Sequence, residues 1–112
     1  MTTSLSDTLG SMINKFSNTD QKWVVFVKDH LKLIKQNSRV IPIDSAVIDR
    51  YKYKFEHFLR DNNCTQSLNW IAYLENDLAS YDEFTLKSSI LIPDVSYLNL
   101  LYRKYKYSQN SN

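Results

Sequence analysis

The stretch Gln66-Ser67-Leu68-Asn69-Trp70-Ile71-Ala72-Tyr73-Leu74-Glu75-Asn76-Asp77-Leu78, read with Ile90-Leu91-Ile92-Pro93-Asp94 downstream, decides how this chain folds. In the first segment Leu68, Ile71, Ala72 and Leu74, with Trp70, Tyr73 and Leu78, form a broad apolar surface at helical spacing. Ser67 stands where a helix cap is expected. The second segment is a short apolar run halted by proline, which predicts a buried strand. Asp94 is then placed to cap a last helix bearing Val95, Leu98, Leu101, Tyr102 and Tyr105. Between the two, residues 80–83 read as a loop, with Phe84 and Leu86 anchoring the chain behind it.

Upstream, Arg50-Tyr51-Lys52-Tyr53-Lys54-Phe55 alternates strictly. As a strand it would put Tyr51, Tyr53 and Phe55 on one face and three cations on the other. A short helix follows over 56–60, broken by Asp61-Asn62-Asn63. Arg39-Val40-Ile41-Pro42-Ile43 is branched and interrupted by proline, which predicts an edge strand or extended segment. Asp44 or Ser45 then caps a short helix reaching about Arg50. Residues 21–36 carry two patterns. Trp23-Val24-Val25-Phe26-Val27 has strand composition, whereas Trp23, Val27, Leu31 and Ile34 fit a helical stripe, and the helical reading is preferred. Asp20 is a candidate N-cap after the turn Ser17-Asn18-Thr19. Residues 4–16 read as an amphipathic helix, with Leu5, Leu9, Met12, Ile13 and Phe16 on one stripe, Ser4 or Ser6 as cap and Gly10 weakening it. The expected fold is therefore helix-rich α+β. Residues 1–50 would be a helical arm and extended segment, 51–94 the core, and 95–112 a C-terminal helix with a basic tail.

At 112 residues the chain fits one domain. Eight Tyr, five Phe and two Trp are a heavy aromatic load for that length, and aromatic side chains are enriched at protein interfaces. One Gly and two Pro argue against glycine-rich phosphate loops and many tight hairpins. The single Cys64 allows no internal disulfide, in keeping with a reducing compartment. The start of the chain lacks a basic region and an apolar run, so no secretion signal is expected. The longest apolar run, residues 23–27, is too short to span a membrane.

Net charge is +2, distributed as +4 over residues 1–60, −5 over 61–94 and +3 over 95–112. That is no basic excess of the size nucleic-acid binding demands. It suits contact between copies or with neighbouring subunits, where complementary patches set register.

Chemistry-bearing residues are sparse. His30 beside Asp29 is a common chance pair. His57 and Cys64 have no further ligand to complete a zinc set. Glu75, Asp77, Asp82 and Glu83 lack the spacing of a calcium loop and read as an acidic rim facing solvent or a partner. No catalytic residue, metal or cofactor is expected. Two basic-aromatic strings, Arg50 to Phe55 and Tyr102 to Tyr107, invite a nucleic-acid reading, since aromatics beside cations bind single strands. The same residues are as well explained by an amphipathic strand and by a helix end whose cations suit the macrodipole.

The residues Tyr51-Lys52-Tyr53, Phe58-Leu59-Arg60, Ser67-Leu68-Asn69-Trp70-Ile71, Leu74-Glu75-Asn76-Asp77-Leu78, Phe84 and Ile90-Leu91-Ile92-Pro93-Asp94 together form a recognisable succession. It resembles the LysM-like module of baseplate wedge proteins in contractile-tailed bacteriophages. Phe26-Val27-Lys28-Asp29-His30, with Asn37-Ser38, extends the likeness upstream. The resemblance implies a β-α-α-β core used for assembly. The Gly-Asp-Thr entry turn of glycan-binding LysM domains is absent, and Ser88-Ser89 stands where their glycine precedes the final strand.

On this resemblance the chain is expected to be a virion structural protein of the tail baseplate, assembled in the host cytoplasm. Its partners would be other tail proteins or further copies of itself, with no membrane, and with nucleic acid disfavoured as a partner. The residues expected at its interfaces are Trp23, Tyr51, Tyr53, Trp70, Tyr73, Tyr97, Tyr102, Arg103 and Tyr105, with the N-terminal helix and basic C-terminal string reaching adjacent subunits. The competing readings are a LysM-type peptidoglycan-binding module, a small nucleic-acid-binding protein and, last, an enzyme.

Overall fold

The computed structural model describes residues 20–110. The helix expected at 4–16, with its caps and Gly10, and the turn at 17–19 lie outside them.

Asp20 starts the described chain as the N-cap of helix α1, Gln21–Asp29. Its carboxylate accepts from the backbone N–H groups of Lys22 at 3.1 Å and Trp23 at 3.3 Å. The same carboxylate accepts from the Tyr105 hydroxyl at 2.8 Å, tying the two ends of the described chain together. That hydroxyl, joined by the two N–H groups, holds the Asp20 carboxyl below the usual carboxylate range. Asp20→Ala is expected to cost about 1–2 kcal/mol, as other N-cap truncations do, readable in a urea melt. Residues 21–36 are helical, as the stripe of Trp23, Val27, Leu31 and Ile34 predicts. They are nevertheless broken at His30, whose ring Nδ1 lies 2.8 Å from the Phe26 carbonyl oxygen, and α2 resumes at Leu31–Gln36.

Strand β1, Arg39–Pro42, runs antiparallel to β2, Ser89–Ile92, with Arg39 opposite Ile92 and Pro42 opposite Ser89. The sheet among the described residues is these two strands. They bracket α3 (Ser45–Tyr51), α4 (Phe55–Asp61) and α5 (Asn69–Glu75), and the chain closes with α6, Val95–Asn110. Short 3-10 turns occupy Gln66–Leu68 and Tyr81–Leu86. The fold is helix-rich α+β. Among the described residues no helix is long and apolar enough to cross a membrane.

Several local expectations need correction. Tyr51 to Phe55 is not a strand. Asp44 caps α3 through the Val47 N–H at 2.9 Å, α3 ends at Tyr51, and the chain turns through Tyr53 at φ 66° into α4. Helix α4 sets Phe55 and Phe58 on the core side, three apart, which a strand cannot do. Tyr51 is half-buried and Tyr53 projects outward, so the three aromatics do not share a face. The helix predicted over 66–78 is α-helical only for Asn69–Glu75, because Asp77 takes φ 54° and ends it. Ser67 lies inside the preceding 3-10 turn and caps nothing there. The loop predicted at 80–83 is the start of a 3-10 turn, held by the Ala79 N–H on Glu83 at 3.0 Å.

The core is one cluster. Trp23, Val27 and Ile34 from the first helices meet Phe55, Phe58, Leu59, Leu68, Ile71 and Phe84, the strand residues Ile90 and Ile92, and Leu98 and Leu101 of α6. Residues 20–50 and 95–110 thus share one interior with residues 51–94, because the apolar faces of α1 and α6 have no other place to be buried.

Asn76 closes one side of the sheet. Its side-chain oxygen accepts from the Leu91 N–H at 2.7 Å. Its amide donates to the Leu91 carbonyl at 2.8 Å and to the Ala72 carbonyl at 2.8 Å. One side chain thereby does what the next strand would do for the outer edge of β2.

Candidate functional site

Four aromatics, Tyr53, Trp70, Tyr73 and Tyr81, line two grooves that share Tyr73. A groove of about 380 Å³ is lined by Tyr53, Lys54, Phe55, Glu56, His57, Tyr73 and Tyr81. A second, of about 360 Å³, is lined by Gln21, Val24, Lys28, Trp70, Tyr73, Leu74 and Leu78. Tyr73 is the ridge between them. Its ring meets Phe55 edge-on at 5.3 Å. Burial, with the nearby Glu56 carboxylate adding to it, raises the Tyr73 phenol above its ordinary value.

Helix α4 and the 3-10 turn place the walls of the first groove. Phe55 and Phe84 stack at 5.0 Å, which fixes the 3-10 turn carrying Tyr81 against the start of α4. Tyr53 is 66 % exposed and Tyr81 48 % exposed, and Lys52 Nζ lies 5.4 Å from the Tyr53 ring centre. The left-handed backbone at Tyr53 is unfavourable for an aromatic residue by roughly 1–2 kcal/mol. Such strain at the rim of a groove is found where function holds a side chain in place. Chemically the groove offers aromatic faces flanked by one cation, one carboxylate and one imidazole, which suits a mixed apolar and polar ligand surface.

Of the residues expected at interfaces, Tyr53, Trp70 and Tyr73 converge on these grooves. Trp23 and Tyr105 do not reach an outer surface. Trp23 is fully buried and Tyr105 nearly so, their rings 5.4 Å apart in the core. Tyr102 is half-buried with its ring 5.2 Å from Trp23. Tyr51 is half-buried and donates its hydroxyl to Asp61 at 2.8 Å, which raises the Tyr51 phenol and lowers the Asp61 carboxyl. Tyr97 is half-buried and Arg103 exposed, both on α6 and away from the grooves' lining. In the string Tyr102 to Tyr107 the tyrosines are divided between the core and solvent, with only Tyr107 strongly exposed.

Sequence reasoning missed Tyr81 and Val24. Tyr81 follows Ser80 in what read as a loop, and only the 3-10 turn turns it toward Tyr53. Val24 sits beside the buried stripe of α1, and its role appears only once α5 packs alongside. Glu75 was misplaced. It is no part of an acidic rim but 3 % exposed. Its Oε2 lies 2.8 Å from Ser38 Oγ, and its Oε1 is buried with no hydrogen-bond partner. Burial pushes its carboxyl up to about 7, against smaller lowering contributions from Ser38 and Lys35.

Cys64 is buried at the edge of a further groove with His57. Burial, with Glu75 adding to it, pushes its thiol up to about 12. Its weak contacts are the Asn69 side-chain oxygen at 3.7 Å and the Thr65 carbonyl at 3.8 Å. Comparison with protein-family models, with curated proteins and with solved structures finds no match to this chain.

Proposed function

We propose that this chain is a structural docking subunit of the tail baseplate of a contractile phage, a wedge-type component acting by protein–protein contact rather than by catalysis. The observation that carries the docking reading is the groove in which Tyr53, held at φ 66°, faces Tyr73 and Tyr81. Tyrosine brings a large amphipathic contact area for little conformational entropy, and partly buried aromatic pockets are where binding energy concentrates. The baseplate assignment rests on the resemblance of residues 51–94 and makes the partner another tail protein. The virion is then its location, reached by assembly in the host cytoplasm. An aromatic groove also suits a sugar ring, which keeps a peptidoglycan-binding module as the second reading.

Two variants and one host test these readings. Phage particles carrying Tyr81→Ala or Tyr53→Asn should incorporate the chain poorly, since truncating an interface anchor costs about 2 kcal/mol or more, roughly thirtyfold in affinity. Asparagine tolerates the left-handed backbone better than tyrosine, so Tyr53→Asn should leave the melting temperature of the free protein unchanged or raised. A chain absent from particles by mass spectrometry would overturn the baseplate reading. Retention on peptidoglycan through high-salt washing would replace it with the second.

A further inference from the structure

Helix α6 is buried on one side. Leu98, Leu101 and Tyr105 enter the core. The opposite side carries Leu100, Arg103, Lys104 and Tyr107 at i, i+3, i+4 and i+7, one continuous exposed stripe. Leu100 is 48 % exposed and Tyr107 77 %. Neither Arg103 nor Lys104 forms an ion pair among the described residues. The stripe is thus apolar at both ends and doubly positive between them. A surface of the opposite sign stands on the 3-10 turn Tyr81–Leu86. In a 3-10 helix residues three apart lie above one another, so Glu83 is aligned with Leu86, while Phe84 points elsewhere, into the core. Leu86 is 84 % exposed. Asp82 accepts from Ser80 Oγ at 2.6 Å and Glu83 from the Ala79 N–H at 3.0 Å, which orients both carboxylates. Neither is neutralised by a cation in an ion pair among the described residues.

We propose that these two surfaces are the halves of one contact between copies of this chain, the α6 stripe of one copy docking on the 3-10 turn of the next. Arg103 and Lys104 then meet the carboxylates of Asp82 and Glu83 across the contact, and Leu100 and Tyr107 give Leu86 an apolar seat. Within one copy no ion pair joins these cations to these carboxylates, so each surface keeps its charge for a neighbour. The charge of the whole chain divides the same way, +3 over residues 95–112 against −5 over 61–94. Complementary charges at an interface fix its register and speed encounter. Because the two surfaces differ, the contact is heterologous. A copy that docks through its stripe still offers its turn, so copies add head to tail rather than stopping at a pair. None of Asp82, Glu83, Leu86, Leu100, Arg103 and Tyr107 lines the groove of Tyr53, Tyr73 and Tyr81. The proposal therefore stands whether or not the docking reading of that groove does.

Sedimentation of the full chain tests it. A contact of one helix stripe on one turn is small, so the native chain should be monomeric at about 10 μM and associate at about 500 μM in low salt. Raising salt from about 0.05 M to 0.5 M should weaken that association at least about tenfold, since the charges are screened. Leu86→Ser with Asp82→Asn should leave the chain monomeric, and so should Arg103→Ser with Tyr107→Ser. All four side chains are exposed, so both double variants should melt as the native chain does. Mixed in equal amounts, the two variants should form a dimer and nothing larger, because each supplies the surface that the other lacks. A native chain that is monomeric at every concentration overturns the proposal. Association that either variant leaves intact also overturns it, as the sign of like surfaces pairing, and so do mixed variants that stay apart. The salt response is read on the native chain alone, and its absence overturns the proposal however the variants fold. Capture of a single-stranded oligonucleotide through Arg103, by a chain that does not associate with itself, overturns it in favour of nucleic acid.

Discussion

The protein should lose stability as pH rises from 5 to 8, and Glu75→Gln should abolish most of that loss. Two observations converge on Glu75. Ser38 Oγ lies 2.7 Å from the Ile34 carbonyl oxygen and 2.8 Å from Glu75 Oε2. A hydroxyl has one proton, and a carbonyl can only accept. The Ser38 hydroxyl is the donor at both contacts, so its one proton is divided between the Ile34 carbonyl and Glu75 Oε2 and serves neither fully. An ionised Glu75 is therefore a carboxylate in the interior with one divided hydrogen bond at Oε2 and Oε1 unpartnered. Burial dominates its titration, opposed by the smaller effects of Ser38 and Lys35. Burial raises the carboxyl from 4.5 to about 7. Between those values the folded state binds more protons than the unfolded state, so unfolding free energy falls with rising pH. No penalty applies below the unfolded value, and it is complete above the folded one. The size is roughly 3 kcal/mol, taking about 1.4 kcal/mol for each pKa unit. Urea melts at the two pH values for the native chain and for Glu75→Gln measure it, and a pH-independent native chain would refute the burial of this carboxyl as its cause.

Asn76→Leu should be destabilising by roughly 2–4 kcal/mol, since it leaves the half-buried Leu91 N–H and carbonyl without these partners at a cost of about 1–3 kcal/mol each when fully buried and also removes the bond to Ala72. The size of leucine does not help, because the lost partners are polar. The edge of β2 so exposed is a template for another strand. The variant should therefore aggregate at concentrations where the native chain stays monomeric, readable by light scattering alongside the denaturant melt. A variant that melts like the native chain would mean that water replaces Asn76 at no cost.

The readable parts of this fold were those fixed locally. Asp44 and Asp94 cap the helices that follow them, through Val47 and Tyr97, and Pro42 and Pro93 bound the two strands. The helical stripe over residues 21–36 identified Trp23, Val27 and Ile34 as inward residues of α1 and α2, although a partner surface was expected for Trp23 where the chain's own α6 supplies it. What could not be read depended on distant partners. Strict alternation from Tyr51 to Phe55 is indistinguishable from a strand until one knows that, among the described residues, the sheet is β1 and β2 and that Phe84 stacks on Phe55. Glu75 looks like its acidic neighbours until Ser38, far back in the sequence, is brought against it. The grooves were legible only as an excess of tyrosine and tryptophan, because their walls come from four separate elements.

The hydrogen bond between Asp20 and Tyr105 joins residues 85 apart, and the same two segments enclose Trp23. Ribosomes add roughly 5–20 residues per second, so the interval between the emergence of these residues is about 4–17 s. Throughout that time the largest core side chain has no lid. The strand at Arg39 likewise waits for Ile92. Helices α3 to α5 can form as they emerge, but this interior cannot close until Tyr105 has left the exit tunnel. Its nascent chain is therefore a natural client for holding chaperones, and truncations that remove Tyr102 and Tyr105 should yield a chain that is degraded rather than one that is shortened and still folded.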